Sequence, residues 1–282
     1  MAKGYMTEQK QEKKGQTDQS VEIEAAMKKI THRIVVFSGK GGVGKTTVAV
    51  NLAFSLAKNG RSVGLLDADI TGPNVPQMTG IAEGAKAENG RIVPHEKDGV
   101  KIVSLASMVP HGTPIIWRGP LRSKAIDQFL GEAKWGSLDF LIADLPPGTG
   151  DEVLTIAKRT SPQMAIVVTT PQEVALIDAR RAANMAKKLE IENIGLVENM
   201  SGLVCPNCGE RIDLFGSGGG KQEAEKLSLL FLGSIPIDPR VRVGADDGQP
   251  VVVQKPESEV ARAFFSITSR IENALKTEVT SG

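Results

Sequence analysis

One segment constrains this chain more than any other. It fills the phosphate-loop pattern G-x-x-x-x-G-K-[ST] and holds a second lysine inside it: Gly39-Lys40-Gly41-Gly42-Val43-Gly44-Lys45-Thr46. Glycines without a Cβ let the backbone curl until successive N–H groups face phosphate oxygens. Lys45 adds a positive charge near the β- and γ-phosphates, and the Thr46 hydroxyl can ligate Mg²⁺. The sequence therefore predicts binding of a nucleoside triphosphate with magnesium, against the alternative of a plain glycine-rich turn.

The residues on either side of this loop have the composition that a phosphate loop requires. Arg33 to Ser38 form an apolar run that predicts a buried strand leading into the loop. Thr47 to Lys58 predict a helix leaving it, and Asn59-Gly60 is the stop signal of that helix. A strand, a glycine-rich loop and a helix in this order favour nucleotide binding over a chance match.

Apolar strand-like runs recur along the rest of the chain, with helical patterns between most of them. We expect strands at Ile34–Ser38, Val63–Asp67, Val100–Leu105, Phe140–Asp144, Ala165–Thr169, Ile194–Asn199 and Leu230–Ile235. This alternation predicts an α/β fold of the P-loop NTPase kind, with a mainly parallel twisted sheet and helices on both faces. The stretch from Ile81 to Asp98 predicts a loop or small hairpin, and a last amphipathic helix is expected over Ser258 to Leu275.

Length and charge set the organisation and narrow the partners. The 282 residues, 40% of them hydrophobic, suffice for one large domain, which we expect over residues 31–276. We expect a disordered or partly helical tail over residues 1–30, with a helix from Val21 to Ile30, and a short tail over residues 277–282. The net charge of +1 gives no overall field that would attract nucleic acid or an anionic membrane. No apolar run has membrane-spanning length and the N-terminus has no apolar signal core, so the expected location is cytoplasmic.

Two aspartate motifs follow predicted strands, at the sheet edge where α/β proteins bind ligands. Asp69, in Asp67-Ala68-Asp69, is the candidate for orienting the attacking water. Asp144 ends a hydrophobic strand, which is the pattern of a magnesium-binding Walker B carboxylate. After it, Gly148 could offer a free backbone amide to the γ-phosphate. The alternative for each aspartate is a helix cap or a strand end.

The two cysteines of the chain, Cys205 and Cys208, lie in the run Cys-Pro-Asn-Cys-Gly. The short spacing turns both sulfurs to one side, and Gly209 permits a turn that points backbone N–H groups at them. Two thiolates are half of a tetrahedral set, so the economical completion is a second copy of this loop across a two-fold axis. A thioredoxin-like redox pair is the alternative, but the residues up to Ile212 predict a return strand or loop. Cys₄ sites accept iron and zinc alike, so the metal stays open.

These motifs together resemble a known class of ATPases. The run Lys40 to Thr47 is similar to the deviant Walker A of the MinD/ParA/nitrogenase-reductase class of dimeric P-loop ATPases. Four further runs are similar to the Mrp/ApbC branch, the ATP-dependent iron–sulfur cluster carriers: Trp117–Pro120, Asp144–Asp151, Glu198–Ser201 and Cys205–Gly209. The resemblance extends from about Ile30 to the final helix.

The resemblance implies a slow ATPase that forms a homodimer and holds an iron–sulfur cluster, most simply 4Fe–4S, between Cys205 and Cys208 of two chains. Such a protein receives its cluster from an assembly scaffold and passes it to apo-proteins, with no nucleic acid or membrane as partner. Lys40 would reach the nucleotide of the other subunit, Asp69 and Asp144 would serve hydrolysis and magnesium, and Asn199 would recognise adenine.

The chain departs from some longer members of this branch. Its N-terminal tail has no cysteine and so cannot hold the extra cluster that those members carry. Two other functions stay open: a spatial-organising ATPase of the MinD/ParA kind, and a dimeric ATPase stapled by structural zinc.

Overall fold

The computed structural model describes residues 20–69, 72–81, 86–104, 119–205 and 207–279. The secondary structure alternates between strands and helices along most of this length. In chain order the elements are α1 (20–27), β1 (Ile30–Phe37), α2 (Lys45–Lys58), β2 (Val63–Asp67), α3 (Val75–Thr79), β3 (Lys86–Glu88), β4 (Arg91–Val93), β5 (His95–Lys97), β6 (Val100–Ser104), α4 (Gly119–Glu132), β7 (Leu138–Asp144), α5 (Asp151–Thr160), β8 (Met164–Thr169), α6 (Glu173–Lys188), β9 (Asn193–Glu198), β10 (Leu203–Val204), β11 (Arg211–Ile212), α7 (Gly219–Leu227), β12 (Leu230–Ser234), α8 (Pro239–Asp246), α9 (Val251–Gln254) and α10 (Glu259–Val279).

An eight-stranded sheet forms the centre of the fold, in the order β12-β9-β8-β1-β7-β2-β6-β5. Every neighbouring pair in it is parallel except β5 with β6, which is antiparallel. The prediction of a mainly parallel sheet is therefore confirmed. Strand β1 lies in the interior between β7 and β8, so the segment that leaves its carboxyl end stands over the middle of the sheet.

Alternate residues of β1 enter two separate apolar cores. Val35 and Phe37 pack with buried residues of α1, α4, α5 and α6. Ile34 and Val36 pack on the other face, with buried residues of α2, α9 and α10. Because successive side chains of a strand point to opposite sides, this division places helices on both faces of the sheet, as predicted.

The observed strands agree with the predicted ones to within a few residues, and β1 shows the largest difference. It starts at Ile30, four residues before the predicted Ile34. The polar residues in its first half were not predicted as strand, but they pair with β7. The described part of Ile81 to Asp98 contains the expected hairpin, β3 with β4. It also contains β5, which joins the edge of the main sheet.

The N-terminal helix α1 covers residues 20–27, which is shorter than the predicted helix from Val21 to Ile30. Ile23 and Met27 of this helix are each only 5% exposed and belong to the same core as α4. We therefore propose that the domain begins near residue 20 and not at residue 31. Residues 1–19 lie outside the described part of the chain. In the part that is described, no helix combines the length and the apolar character needed to cross a membrane.

Candidate functional site

The phosphate loop leaves β1 and passes into α2 with a backbone shaped for an anion. Gly42 and Gly44 have φ angles of 80° and 81°, in the left-handed region that favours glycine. A Cβ placed on Gly41 or Gly42 would meet no atom within 4 Å, so this part of the loop faces open space. A Cβ on Gly39 would lie 2.1 Å from the carbonyl oxygen of Asp178. The loop is thus packed tightly against α6 at its first glycine and open where phosphates would bind.

Lys45, Thr46 and Asp144 form a buried contact below this loop. Lys45 Nζ lies 2.6 Å from Asp144 Oδ1, and Thr46 Oγ1 donates to Asp144 Oδ2 over 2.7 Å. Burial raises the pKa of the Asp144 carboxyl, while the charge of Lys45 and the two hydrogen bonds oppose that rise. A hydroxyl and a carboxylate side by side are ligands that Mg²⁺ prefers, so the predicted magnesium pair, Thr46 and Asp144, is brought together.

Asp67 lies directly beside this contact, since it is the register partner of Asp144 on the neighbouring strand. Its carboxylate accepts hydrogen bonds from Ser104 Oγ at 2.9 Å and from the backbone N–H of Asp69 at 3.2 Å. Burial, together with the nearby charge of Asp144, raises the pKa of Asp67 to about 8. Asp67 therefore carries a proton over most of the neutral range. The sequence did not predict this protonation of Asp67, because it depends on which strands become neighbours in the sheet.

The predicted water-orienting residue, Asp69, lies in the wall of a large cavity above this edge of the sheet. It is 8% exposed, and its Oδ1 accepts the backbone N–H of Gly72 over 3.1 Å. Lys40 is half-buried and does not belong to the described residues that line the cavity. The structure therefore brings Asp69 to the nucleotide cavity of its own chain and leaves Lys40 outside that cavity.

The prediction of a free amide at Gly148 is wrong for this structure. Its N–H donates to the backbone carbonyl of Ser38 over 2.9 Å, and its φ is 98°. The reason is the parallel pairing of β7 with β1, which brings the segment after Asp144 back over the end of β1. Only a local rearrangement would release this amide for a phosphate.

The cavity has a volume of about 800 Å³, within the range of small-molecule sites. Its lining includes the polar side chains of Lys45, Thr46 and Thr47. Much of the remaining lining is apolar and includes Met78, Met200, Leu214, Phe215, Ile235, Pro236, Ile237, Val241 and Phe264. A cavity with both polar and apolar lining residues matches a ligand with charged phosphates and a flat base.

Asn199 lies in the wall of the same cavity and contacts the phosphate loop. Its Nδ2 donates to the backbone carbonyl of Val43 over 2.9 Å. The contact is close enough that a Cβ on Gly44 would lie 2.2 Å from this nitrogen. The side chain therefore joins the end of β9 to the loop, a structural role that the sequence did not predict.

Cys205 and Cys208 lie on the hairpin formed by β10 and β11. The backbone N–H of Cys205 donates to the carbonyl of Glu210, and the N–H of Gly209 donates to the carbonyl of Cys205. The N–H groups of Cys208 and Asn207 point at the Cys205 sulfur, and these hydrogen bonds lower its pKa. The expected turn that points backbone N–H groups at a cysteine sulfur is thus present, and β11 forms where a return strand or loop was expected. Cys208 is exposed and Cys205 is half-buried, so both sulfurs are near the surface.

The knuckle offers two ligands within one chain. Among the described residues, no group of three or more His, Cys, Asp or Glu side chains is arranged to hold a metal ion.

Glu198, the last residue of β9, contacts the segments on both sides of the cysteine hairpin. It is fully buried, and its carboxylate accepts hydrogen bonds from Ser201 Oγ at 2.6 Å and from the backbone N–H groups of Gly218 and Gly220 at 3.0 and 2.5 Å. These contacts fix both ends of the segment that carries the hairpin. Sequence reasoning noted Glu198 only as part of a motif, because two of its partners, Gly218 and Gly220, lie 20 and 22 residues further along.

The chain matches the family model of the NUBPL iron-transfer P-loop NTPase over residues 29–272. This chain belongs to that family. It is 49% identical to the iron–sulfur cluster carrier protein of Pyrococcus horikoshii over 266 residues, which cover 90% of each chain. It is 47% identical to the protein of that name from Aquifex aeolicus over 254 residues, which cover 89% of this chain and 70% of the relative.

Solved structures confirm the P-loop NTPase fold. A nucleotide-binding protein from Archaeoglobus fulgidus in complex with ADP is 37% identical, with a TM-score of 0.75 and coverage of 87% of this chain and 96% of that one. The cell division ATPase MinD of Pyrococcus furiosus is 25% identical, with a TM-score of 0.66 and coverage of 86% and 99%. The family resemblance inferred from the motifs is therefore confirmed.

The raised pKa of Asp67 predicts a pH-dependent stability in the absence of nucleotide. The unfolded carboxyl has a pKa of about 3.9, and the folded one about 8. Between these values the folded state binds more protons than the unfolded state, so Asp67 lowers stability as pH rises from 4 to 8. Asp67→Asn should remove this loss. Between pH 5 and 8, the free energy of unfolding of the variant should therefore fall by roughly 3–4 kcal/mol less than that of the wild type.

Urea denaturation at a series of pH values measures this difference. Asp139→Asn is the control, because the Ser62 backbone N–H and hydroxyl lower the pKa of Asp139, which therefore stays charged over the same range. An unchanged pH slope in Asp67→Asn would show that Asp67 is ionised in the folded protein.

Proposed function

We propose that the protein is a slow ATPase that carries an iron–sulfur cluster as a homodimer and passes it to apo-proteins. The observation that carries this proposal is the position of the two thiols. Cys205 and Cys208 lie on a surface hairpin, and its base is fixed by Glu198 and Ser201, next to the cavity residue Asn199. The relatives named iron–sulfur cluster carrier proteins support the same function.

The number of thiols supports a dimer. A 4Fe–4S cluster is held by four protein ligands, and one knuckle supplies two of them. Two copies of the hairpin related by a two-fold axis would supply all four sulfurs. A cluster held this way is exposed and easily released, which suits delivery from an assembly scaffold to an apo-protein. The exposed thiols must stay reduced to bind it, which fits a cytoplasmic location.

The residues around the cavity fit Mg-ATP. The open backbone of Gly41 and Gly42 can receive phosphate oxygens, and Lys45 can turn from Asp144 to the β- and γ-phosphates. Thr46 and Asp144 would hold Mg²⁺, which neutralises charge on the transferred phosphate.

Three residues are assigned to hydrolysis in this proposal. Asp69 would orient the attacking water from the cavity wall. Lys40 would act on the nucleotide of the partner subunit, because it does not line the cavity of its own chain. The N–H of Gly148 would contact the γ-phosphate only after leaving the carbonyl of Ser38, which makes this hydrogen bond a candidate sensor of the nucleotide state.

Asn199 supports adenine as the base. One N–H of its amide is used by the carbonyl of Val43, which fixes the orientation of the side chain. The Oδ1 atom can then accept a hydrogen bond from the amino group on C6 of adenine. Guanine presents a carbonyl oxygen at that position, which would oppose Oδ1.

The two loop lysines should behave differently when each is replaced by alanine. Lys40→Ala should retain ATP binding and lower turnover at least tenfold, because a cation supplied across the interface acts mainly in the transition state. Lys45→Ala should lose ATP binding and also lower the free energy of unfolding by about 3–5 kcal/mol, since it leaves the buried Asp144 carboxylate without its cation. Nucleotide titration, phosphate release and thermal melting separate these effects. Wild-type turnover in Lys40→Ala would overturn the assignment of Lys40.

Replacement of the two cysteines tests whether the protein binds an iron–sulfur cluster. After anaerobic reconstitution, the wild type should be brown and contain iron and sulfide, whereas Cys205→Ser and Cys208→Ser should contain almost none and retain ATP binding. Retention is expected because neither cysteine lines the nucleotide cavity. Iron, sulfide and zinc analysis checks this. A colourless wild type that holds zinc would contradict the carrier and support the zinc-stapled dimer, and full iron content in the double serine variant would exclude the hairpin as the site.

A further inference from the structure

Two serine hydroxyls in the described part of the chain are buried and have no hydrogen-bond partner. They belong to Ser38, which is 1% exposed, and Ser55, which is fully buried. A buried polar group without a partner destabilises the folded protein, so native proteins keep few of them. Ser55 lies within α2 and does not line the cavity, whereas Ser38 does line it. The hydroxyl of Ser38 is therefore one that a bound ligand could satisfy.

Ser38 directly follows the last residue of β1, so the alternation of that strand indicates the side of the sheet on which Ser38 lies. Val36, two residues earlier, packs on the face covered by α2, and alternate residues of a strand share a face. Val36 is also the register partner of Asp144, whose carboxylate contacts Lys45 on that face. The Ser38 hydroxyl thus lies on the same side of the sheet as the lysine and carboxylate that would bind the phosphates and magnesium.

The backbone of Ser38 is held by both loops that surround the phosphate position. Its carbonyl accepts the N–H of Gly148, from the loop after Asp144, and its own peptide continues into Gly39, which is packed against Asp178. These contacts fix the backbone of Ser38 at the junction of the two loops.

We propose that Ser38 is a nucleotide-binding residue whose hydroxyl donates a hydrogen bond to the terminal phosphate of ATP. The inference rests on the proposed ATP-binding function and adds a residue that separates ATP from ADP. Ser38 lines the cavity together with Lys45 and Pro147, and its carbonyl holds the N–H of Gly148, which is the proposed contact of the γ-phosphate. A hydrogen bond to a charged phosphate is stronger than one between neutral groups, so one hydroxyl gives a measurable preference.

Ser38→Ala tests the inference, with Ser55→Ala as a matched control that also removes one buried unpartnered hydroxyl. Binding of a non-hydrolysable ATP analogue and of ADP is measured by calorimetry for the wild type and both variants. Ser38→Ala should weaken binding of the analogue about tenfold and change ADP binding by less than about twofold. Ser55→Ala should change neither affinity.

The outcomes separate this inference from the function on which it rests. A wild type that binds neither nucleotide would overturn the proposed function and the inference with it. A wild type that binds both, combined with an unchanged analogue affinity in Ser38→Ala or an equal loss of analogue and ADP affinity, would overturn the inference alone. If Ser38→Ala does not fold, Ser38→Thr is measured instead, because threonine keeps the hydroxyl. This variant should retain the wild-type ratio of analogue affinity to ADP affinity. A ratio as low as that expected for the alanine variant would contradict the assignment.

Discussion

The buried contact of Asp144 with Lys45 and Thr46 is the interaction on which the rest of the site depends. It joins the carboxyl end of β7 to the first turn of α2, and the loop between β1 and α2 is thereby fixed over the sheet. Neither charge is stable alone at this depth, since removal of one partner of a buried ion pair costs about 3–5 kcal/mol. Any ligand that takes Lys45 must therefore supply a cation for Asp144, which Mg-ATP does.

The cysteine hairpin and the phosphate loop are connected through the residues at the end of β9. Asn199 contacts the loop carbonyl of Val43, and the preceding residue, Glu198, holds Ser201 and the start of α7. The backbone from Asn199 to Cys205 is thus a short connection between the phosphate loop and the knuckle. This connection gives a physical route by which the nucleotide could alter the affinity for a cluster.

Local patterns predicted most of the fold and the polar parts of the site. The loop glycines, the strand before Asp144 and the cysteine knuckle each form from residues close in sequence, so spacing was sufficient to find them. What depends on distant contacts was missed. The proton on Asp67 needs β2 to pair with β7, the carboxylate of Glu198 has partners near Gly218, and the amide of Gly148 is taken by Ser38. The packing of α1 on the core was missed because it depends on contacts with α4, about a hundred residues further along the chain.

In the proposed dimer, one cluster is shared by the knuckles of two chains. Native mass spectrometry of the anaerobically reconstituted protein measures this directly, because it counts chains and cluster atoms in the same particle. We expect a particle of two chains with a single 4Fe–4S cluster, and separation into single chains when the cluster is removed by a chelator in the absence of nucleotide. A complete cluster on a single chain would rule out the shared site.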